Sequence, residues 1–301
     1  MKKMIKKYQK ITVCILIFII CIFIFCHVSP RRKDRNFLRY LYLLNTYSMY
    51  NKQCEIVSHN ISYDENLDLI SLNKKNIEQF KNIERAQASK KSDYNYEYLY
   101  GIHLGPYRNK IINFLAIGID CEENPTNENS GKTIDIWRQY LPNAELYGLE
   151  KNSMCANIFK NKMKDIFIGD QSDLNLLYSI GQEVGEFDVI VDDGGHSRKQ
   201  QINSFIGLWP FLKSGGIYIV EDMYYNTLND KTYYDNKESF MDLVTALFIL
   251  FNNPLEIQNV MNSGKKPFKP IVQIQKHAKE ISNDLLSFSC YKRSCVFQKK
   301  F

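Results

Sequence analysis

None of the five cysteines outside the N-terminal apolar run, Cys54, Cys121, Cys155, Cys290 and Cys295, falls in a Cys-x-x-Cys pair. That spacing argues against a structural zinc site. Internal repeats are absent as well, which excludes a solenoid or propeller. Beyond residue 39 there is no basic excess: 29 Lys/Arg face 32 Asp/Glu, a net charge of −3. Such a body has no overall electrostatic footprint for a phosphate backbone, so no nucleic-acid partner is expected. The triplet Gly131-Lys132-Thr133 looks like the end of a phosphate-binding loop, but the glycine required five residues earlier is Thr126. What the 301 residues do have is 45% hydrophobic composition, enough for one large domain or two small ones.

The formal charge of +6 comes from the N-terminus, where ten Lys/Arg and one acid, Asp34, lie within residues 1–39. These charges flank Ile11 to Cys26, sixteen residues in which only Thr12 is polar. As a helix the run covers about 24 Å, a little short of a bilayer core of about 30 Å, and His27 to Ser29 extend it before Pro30. We read 1–10 as a basic tail, 11–29 as a transmembrane signal anchor, 30–100 as a stem and helical lead-in, and 101–301 as the main folded domain. No small-x-small cleavage site follows the run; cleavage and secretion are the alternative. Lysines before the segment favour a cytoplasmic N-terminus, whereas Arg31, Arg32, Lys33 and Arg35 argue the other way. The expectation is a single-pass type II protein with its body in the ER/Golgi lumen, compatible with the sequon Asn60-Ile61-Ser62. In that compartment Cys290 and Cys295 either bridge across a hairpin or stay buried thiols.

Residues 36–50 read as a helix, and another spans roughly 75–88. From Ile111 onward short apolar runs alternate with helical stretches. Strands are expected over 111–117, 145–149, 165–168, 187–191 and 217–220, with helices at 133–140, 174–183, through 205–212 and at 240–251. A hairpin over 285–291 and 294–298 closes the chain. This order predicts an α/β fold with a doubly wound, mostly parallel sheet, whose ligands sit at the carboxyl ends of the strands. Polar residues gather at those ends: Asp120, Glu150, Asp170, Asp192, Asp193, Glu221 and Asp222.

Glu150 closes the second strand, where an acid either accepts both ribose hydroxyls of a nucleotide-like cofactor or caps the next helix. Asp193, Glu221 and Asp222 form an oxygen-rich set suited to Mg²⁺ or another hard divalent cation; hydrogen-bonded loop acids are the alternative. His196 shares a loop with two acids and two glycines, and histidine is the side chain whose unperturbed pKa suits a general base near neutrality.

Over residues 105–225 the chain resembles the metal-dependent sugar O-methyltransferases of macrolide tailoring, the mycinamicin and macrocin group. These belong to the class I S-adenosylmethionine (SAM) methyltransferases. The likeness is carried by Phe114-Leu115-Ala116-Ile117-Gly118, Thr133 to Ala144, Leu146-Tyr147-Gly148-Leu149-Glu150, Gly169-Asp170-Gln171-Ser172-Asp173, Phe187 to His196 and Gly215 to Asp222. The resemblance implies a seven-stranded sheet with an antiparallel seventh strand. It implies divalent-metal ligands at Asp193, Glu221 and Asp222, with His196 as catalytic base beside Asp193. SAM-binding positions are implied at Gly118, Asp120, Glu150, Asp170 and Gln171. A small-molecule or glycan hydroxyl is the implied acceptor. The family's Glu-x-Gly-x-Gly reads Ala116-Ile117-Gly118-Ile119-Asp120 in this chain, so the acid and the second glycine are replaced. Two rival readings are a luminal metal-dependent glycosyltransferase and a non-catalytic binding protein that keeps the fold.

Overall fold

A computed structural model describes residues 63–86, 96–121, 126–127, 130–223, 239–252 and 272–301. The segment 11–29, the helix expected over 36–50 and the sequon at 60–62 lie outside these residues. Among the described residues no helix is long and apolar enough to cross a membrane. The chain divides into two units, Met1–Ile70 and Ser71–Phe301. Of the first, only a helical backbone from residue 63 is described.

The second unit holds a mixed sheet in the order β3-β2-β1-β4-β5-β7-β6. Its strands are β1 (Asn113–Ile117), β2 (Glu145–Glu150), β3 (Asp165–Ile168), β4 (Phe187–Asp192), β5 (Leu212–Val220), β6 (Leu285–Cys290) and β7 (Cys295–Lys299). β1 to β5 pair in parallel, and β7 runs antiparallel to both of its neighbours. The helices are α1 (Tyr63–Ala86), α2 (Tyr96–Leu104), α3 (Lys132–Tyr140), α4 (Ser153–Phe159), α5 (Leu174–Val184), α6 (Arg198–Leu208), α7 (Phe240–Asn252) and α8 (Val272–Asp284).

The central strands read as nearly unbroken apolar runs because helices cover both faces of the sheet. Side chains alternate across each strand. Leu115, Ile117, Ile190, Tyr218, Val220 and Phe297 therefore pack with Leu177, Phe205, Phe240 and Leu247 of α5, α6 and α7. Their neighbours Phe114, Ala116, Val189, Val191, Ile217, Ile219 and Val296 pack with Phe80, Leu99, Tyr100, Trp137 and Phe159 of α1 to α4. Phe80, Tyr100 and Trp137 are buried together, with ring centroids 5.0 and 4.8 Å apart along the chain of contacts. The part of α1 from residue 71 and all of α2 thus pack on the sheet, within the stretch that sequence alone reads as stem.

Local signals set the helix ends. Asp173 caps α5 by accepting from Asn175 and Leu176 amides, and Gly185 ends it at φ 88°. Ser197 and Gln200 form a capping box on α6. The helix expected through 205–212 stops at Leu208. A short 3₁₀ turn, Trp209–Phe211, follows, and Leu212 already belongs to β5, which pairs irregularly with β4 in that stretch. The Gly215-Gly216 turn is absorbed into this irregular half-strand.

Two disulfides are present among the described residues. Cys290–Cys295 closes the β6–β7 hairpin, one of the two states expected for that pair. Cys121–Cys155 joins the loop after β1 to α4, across 34 residues. Loop closure of that size stabilises a fold by about 3–4 kcal/mol in the chain-entropy picture.

Candidate functional site

The strand order reverses between β1 and β4, and the registers bring Ile117 level with Leu149 and Asp192, and Asp192 level with Val220. The loops leaving β1, β2, β4 and β5 therefore open onto one rim, the position where open α/β sheets hold ligands. Four non-glycine residues have positive φ among those described: Asp120 (59°), His196 (57°), Asp222 (49°) and Arg293 (69°). Three of them lie in those loops, and Arg293 contacts Asp222 across the rim. Left-handed backbone in such residues costs free energy and persists where the surroundings impose it, a pattern that concentrates at functional sites.

On the β1–β2 side, Gly118 donates to Leu149 O at 2.8 Å, and Glu150 accepts from Asn152 N at 2.7 Å and Ile119 N at 3.4 Å. A carboxylate carries about four acceptor sites, so two amides leave the buried Glu150 with acceptor capacity to spare. Asp120 keeps the left-handed backbone that a glycine would adopt there. Its carboxylate turns onto the start of α3, accepting from Thr133 Oγ1 at 3.1 Å, and its carbonyl accepts from Gly131 N at 2.9 Å.

On the β4–β5 side, ligand atoms of Asp193, His196 and Asp222 all lie within 4.8 Å of one another. His196 Nε2 is 3.9 Å from Asp193 Oδ1 and 3.9 Å from Asp222 Oδ2. Glu221 is buried and accepts from the Tyr100 hydroxyl, while its backbone carbonyl accepts from Gln201 Nε2 at 2.7 Å. Tyr96 donates to Asp222 Oδ1 at 3.4 Å. Burial, and then the charges of Glu221, Asp222 and Asp193, hold the Tyr96 phenol far above its usual range, so it is a permanent donor. Arg293, in the β6–β7 turn, has its guanidinium 3.9 Å from Asp222, and its carbonyl accepts from Met223 N at 2.9 Å.

Behind the rim, Asp192 is fully buried and accepts from Gln171 Nε2 at 2.8 Å, from the Ser204 hydroxyl and from Gly194 N at 3.4 Å. Burial pushes its carboxyl up to about 6, opposed by Ser204, Gln171, His196 and Gly194.

No family model matches the chain. A stretch of 125 residues, 42% of the chain, is 32% identical to mycinamicin VI 2''-O-methyltransferase of Micromonospora griseorubida. Another match of 125 residues is 30% identical to demethylmacrocin O-methyltransferase of Streptomyces fradiae. These alignments cover 30% and 31% of the relatives, so the chain spans under a third of the length of the curated relatives it matches. Among solved structures, the MycE methyltransferase from the mycinamycin biosynthetic pathway, in complex with Mg, SAH and mycinamycin VI, aligns at TM-score 0.59. The identity is 20%, over 74% of this chain and 54% of that one. This is the class I methyltransferase fold.

Within the methyltransferase fold, the structure brings Gly118, Asp120 and Glu150 together on one side of the crevice, and Asp193, His196 and Asp222 on the other. Glu221 sits between that second group and Tyr100, outside the three-residue donor cluster. Asp170 lies after β3. Burial opposes its charge, but Lys151, Ser172 and Gln200 outweigh burial and hold it below the usual carboxylate range. Gln171 is buried and spent on Asp192 and on Gly195 N, at 2.7 Å, so it positions the β4 loop. Sequence reasoning missed Tyr96, Tyr100 and Arg293. The first two lie before residue 101, and nothing in their local pattern marks a partner more than 120 residues away.

Proposed function

We propose that the chain is a SAM-dependent, divalent-metal-dependent O-methyltransferase acting on a hydroxyl of a sugar. The observation that carries this reading is the convergence of Asp193, His196 and Asp222 within 4.8 Å at the same crevice as Glu150. The named relatives are sugar O-methyltransferases, which supports a sugar hydroxyl as acceptor.

The residues fit both groups. The two carboxylates give hard oxygen donors of the kind Mg²⁺ takes, completed by water and substrate oxygens, and leave proton transfer to the imidazole beside them. Asp193 and Asp222 would hold the cation, with Glu221 supporting the loop through Tyr100. Gly118 and Glu150 would hold the donor's nucleoside end, with Asp120 turned aside onto Thr133. When bound, SAM supplies an electrophilic methyl group, and the cation supplies a Lewis acid for the acceptor oxygen. His196 takes the acceptor's proton at Nε2, the nitrogen that faces both aspartates. Tyr96 donates to Asp222 and the Arg293 guanidinium faces it as a charge partner, and together they hold its orientation, which limits reorganisation during the reaction. Asp170 holds Lys151 and the start of α6, through Gln200, at the edge of the crevice.

Calorimetry of the protein with SAM, with Mg²⁺ and with nucleotide sugars tests this assignment. SAM and Mg²⁺ are expected to bind and nucleotide sugars are not. Nucleotide-sugar binding without SAM binding would transfer the chain to the glycosyltransferase reading.

The same reading includes a single-pass type II anchor over residues 11–29, with the body in an oxidising lumen. The apolar run, the lysines before it and the two disulfides of the described body support it. In sealed microsomes the body should resist protease until detergent is added; digestion without detergent would remove the anchor from the account.

A further inference from the structure

The loop after β1 departs from the family's glycine pattern and is held by contacts that the pattern does not contain. Asp120 takes the left-handed conformation in place of a glycine and is tied to α3 through Thr133 Oγ1 and Gly131 N. The next residue, Cys121, is bonded to Cys155. Cys155 is fully buried in the first turn of α4, and its amide donates to the Asn152 side chain at 3.2 Å. Asn152 in turn donates its own amide to Glu150 at 2.7 Å. A closed circuit results: Glu150 to Asn152, Asn152 to Cys155, Cys155 to Cys121, and through Ile119 N back to Glu150.

From this circuit we infer that the Cys121–Cys155 disulfide is a positioning element of the donor pocket: it fixes the β1 loop against Glu150 where the second glycine of the motif is missing. The inference rests on the SAM reading of the crevice. A disulfide 34 residues in span could act only by stabilising the fold. Its place in the circuit argues for a local effect. Both ends lie next to residues that line the donor side, and neither end lies in the Asp193, His196 and Asp222 cluster. Loss of the bond frees the loop on the donor side and leaves the cation side as it was.

The test compares the oxidised protein, the same protein reduced with a phosphine that converts each disulfide to two thiols, and the Cys121→Ser/Cys155→Ser variant. SAM and Mg²⁺ affinities are measured by calorimetry, and amide exchange is followed at Ile119 and Asp120. The expected result is a SAM Kd at least tenfold weaker in the reduced protein and in the variant, with Mg²⁺ affinity within twofold of the oxidised protein. The Ile119 and Asp120 amides are expected to exchange faster. Because reduction opens Cys290–Cys295 as well, the variant assigns the loss to the correct bond. If the variant does not fold, reduction of the folded protein, with alkylation mapped at Cys121, reads the same quantities. Equal SAM affinity before and after bond loss overturns the inference. So does a parallel loss of SAM and Mg²⁺ affinity, which would make the bond a global staple. Failure of the oxidised protein to bind SAM removes the methyltransferase reading instead. Amide exchange then still reports on the loop, and unchanged exchange overturns the positioning role independently.

Discussion

Asp193→Asn is expected to lower methyl transfer by about 10³-fold or more while SAM affinity stays within twofold of the parent protein. The asparagine keeps the size and most of the shape of the side chain, so the loop after β4 has no steric reason to move. What it loses is charge: a neutral amide is a poor partner for a hard dication, and Asp222 alone then holds the cation beside the imidazole. Glu150 and Gly118 lie on the other side of the crevice, and donor affinity should report that separation. His196→Ala should lose a comparable factor for a different reason, because it removes the proton acceptor and leaves both aspartates in place. The two losses should not add, because groups that act on one transition state fail together. The double variant should therefore be little worse than either single one. Chelation with EDTA should silence the parent protein and change the Asp193→Asn variant very little. Full activity in either single variant would refute the assigned roles.

Gly118→Ala is expected to destabilise the protein by about 2–4 kcal/mol, to lower Tm by roughly 5–15 °C, and to abolish SAM binding at temperatures where the fold survives. Gly118 has a φ of 77°, and a Cβ built there lies 2.4 Å from Asp193 O and 2.9 Å from Gly194 Cα. Both neighbours are backbone, so no rotamer change relieves the clash. One loop must move, and either movement spoils the site: Gly118 starts the donor side and Asp193 starts the cation side. Gly185→Ala is the matched control. Its φ of 88° and ψ of −125° also strain an L side chain, yet nothing lies within 4 Å of the added carbon. About 1–3 kcal/mol of destabilisation with normal SAM binding is expected there. If the two variants behave alike, close approach of the β1 and β4 loops is not what selects glycine at position 118. Differential scanning calorimetry and SAM titration together make the comparison.

The central strands β1 and β4 were legible because each is short, apolar and covered on both faces, whereas the edge strand β3 is half exposed and was legible from its Ile166-Phe167-Ile168 run. Acids at their carboxyl ends marked the rim for the same reason: polar side chains have no place between two helical layers. Other features carry no local signature. The stretch 30–100 reads as a stem and helical lead-in, yet Phe80, Leu99 and Tyr100 are fully buried against the sheet. Their apolar neighbours come from distant elements, Trp137 and Tyr140 of α3 and the strands, which leave no imprint on spacing within α1 and α2. The same is true of Tyr100 and Glu221, and of Arg293 and Asp222, pairs made by topology. Cys121 and Cys155 could not be matched from spacing, because bridge connectivity is a property of the fold. Leu212 to Gly216 misled in the opposite direction. The sequence reads as a helix through Leu212 followed by a turn at the two glycines, and strand pairing with β4 overrides both.

The position of β7 has a consequence for biosynthesis. It follows every other strand in the sequence but sits inside the sheet, between β5 and β6. As the ribosome delivers the chain, β6 emerges with no neighbour to pair with, and β5 keeps an open edge until residue 299 clears the exit tunnel. Nascent chains halted before that point would display two unsatisfied strand edges, the kind of surface that chaperones capture and that self-association exploits.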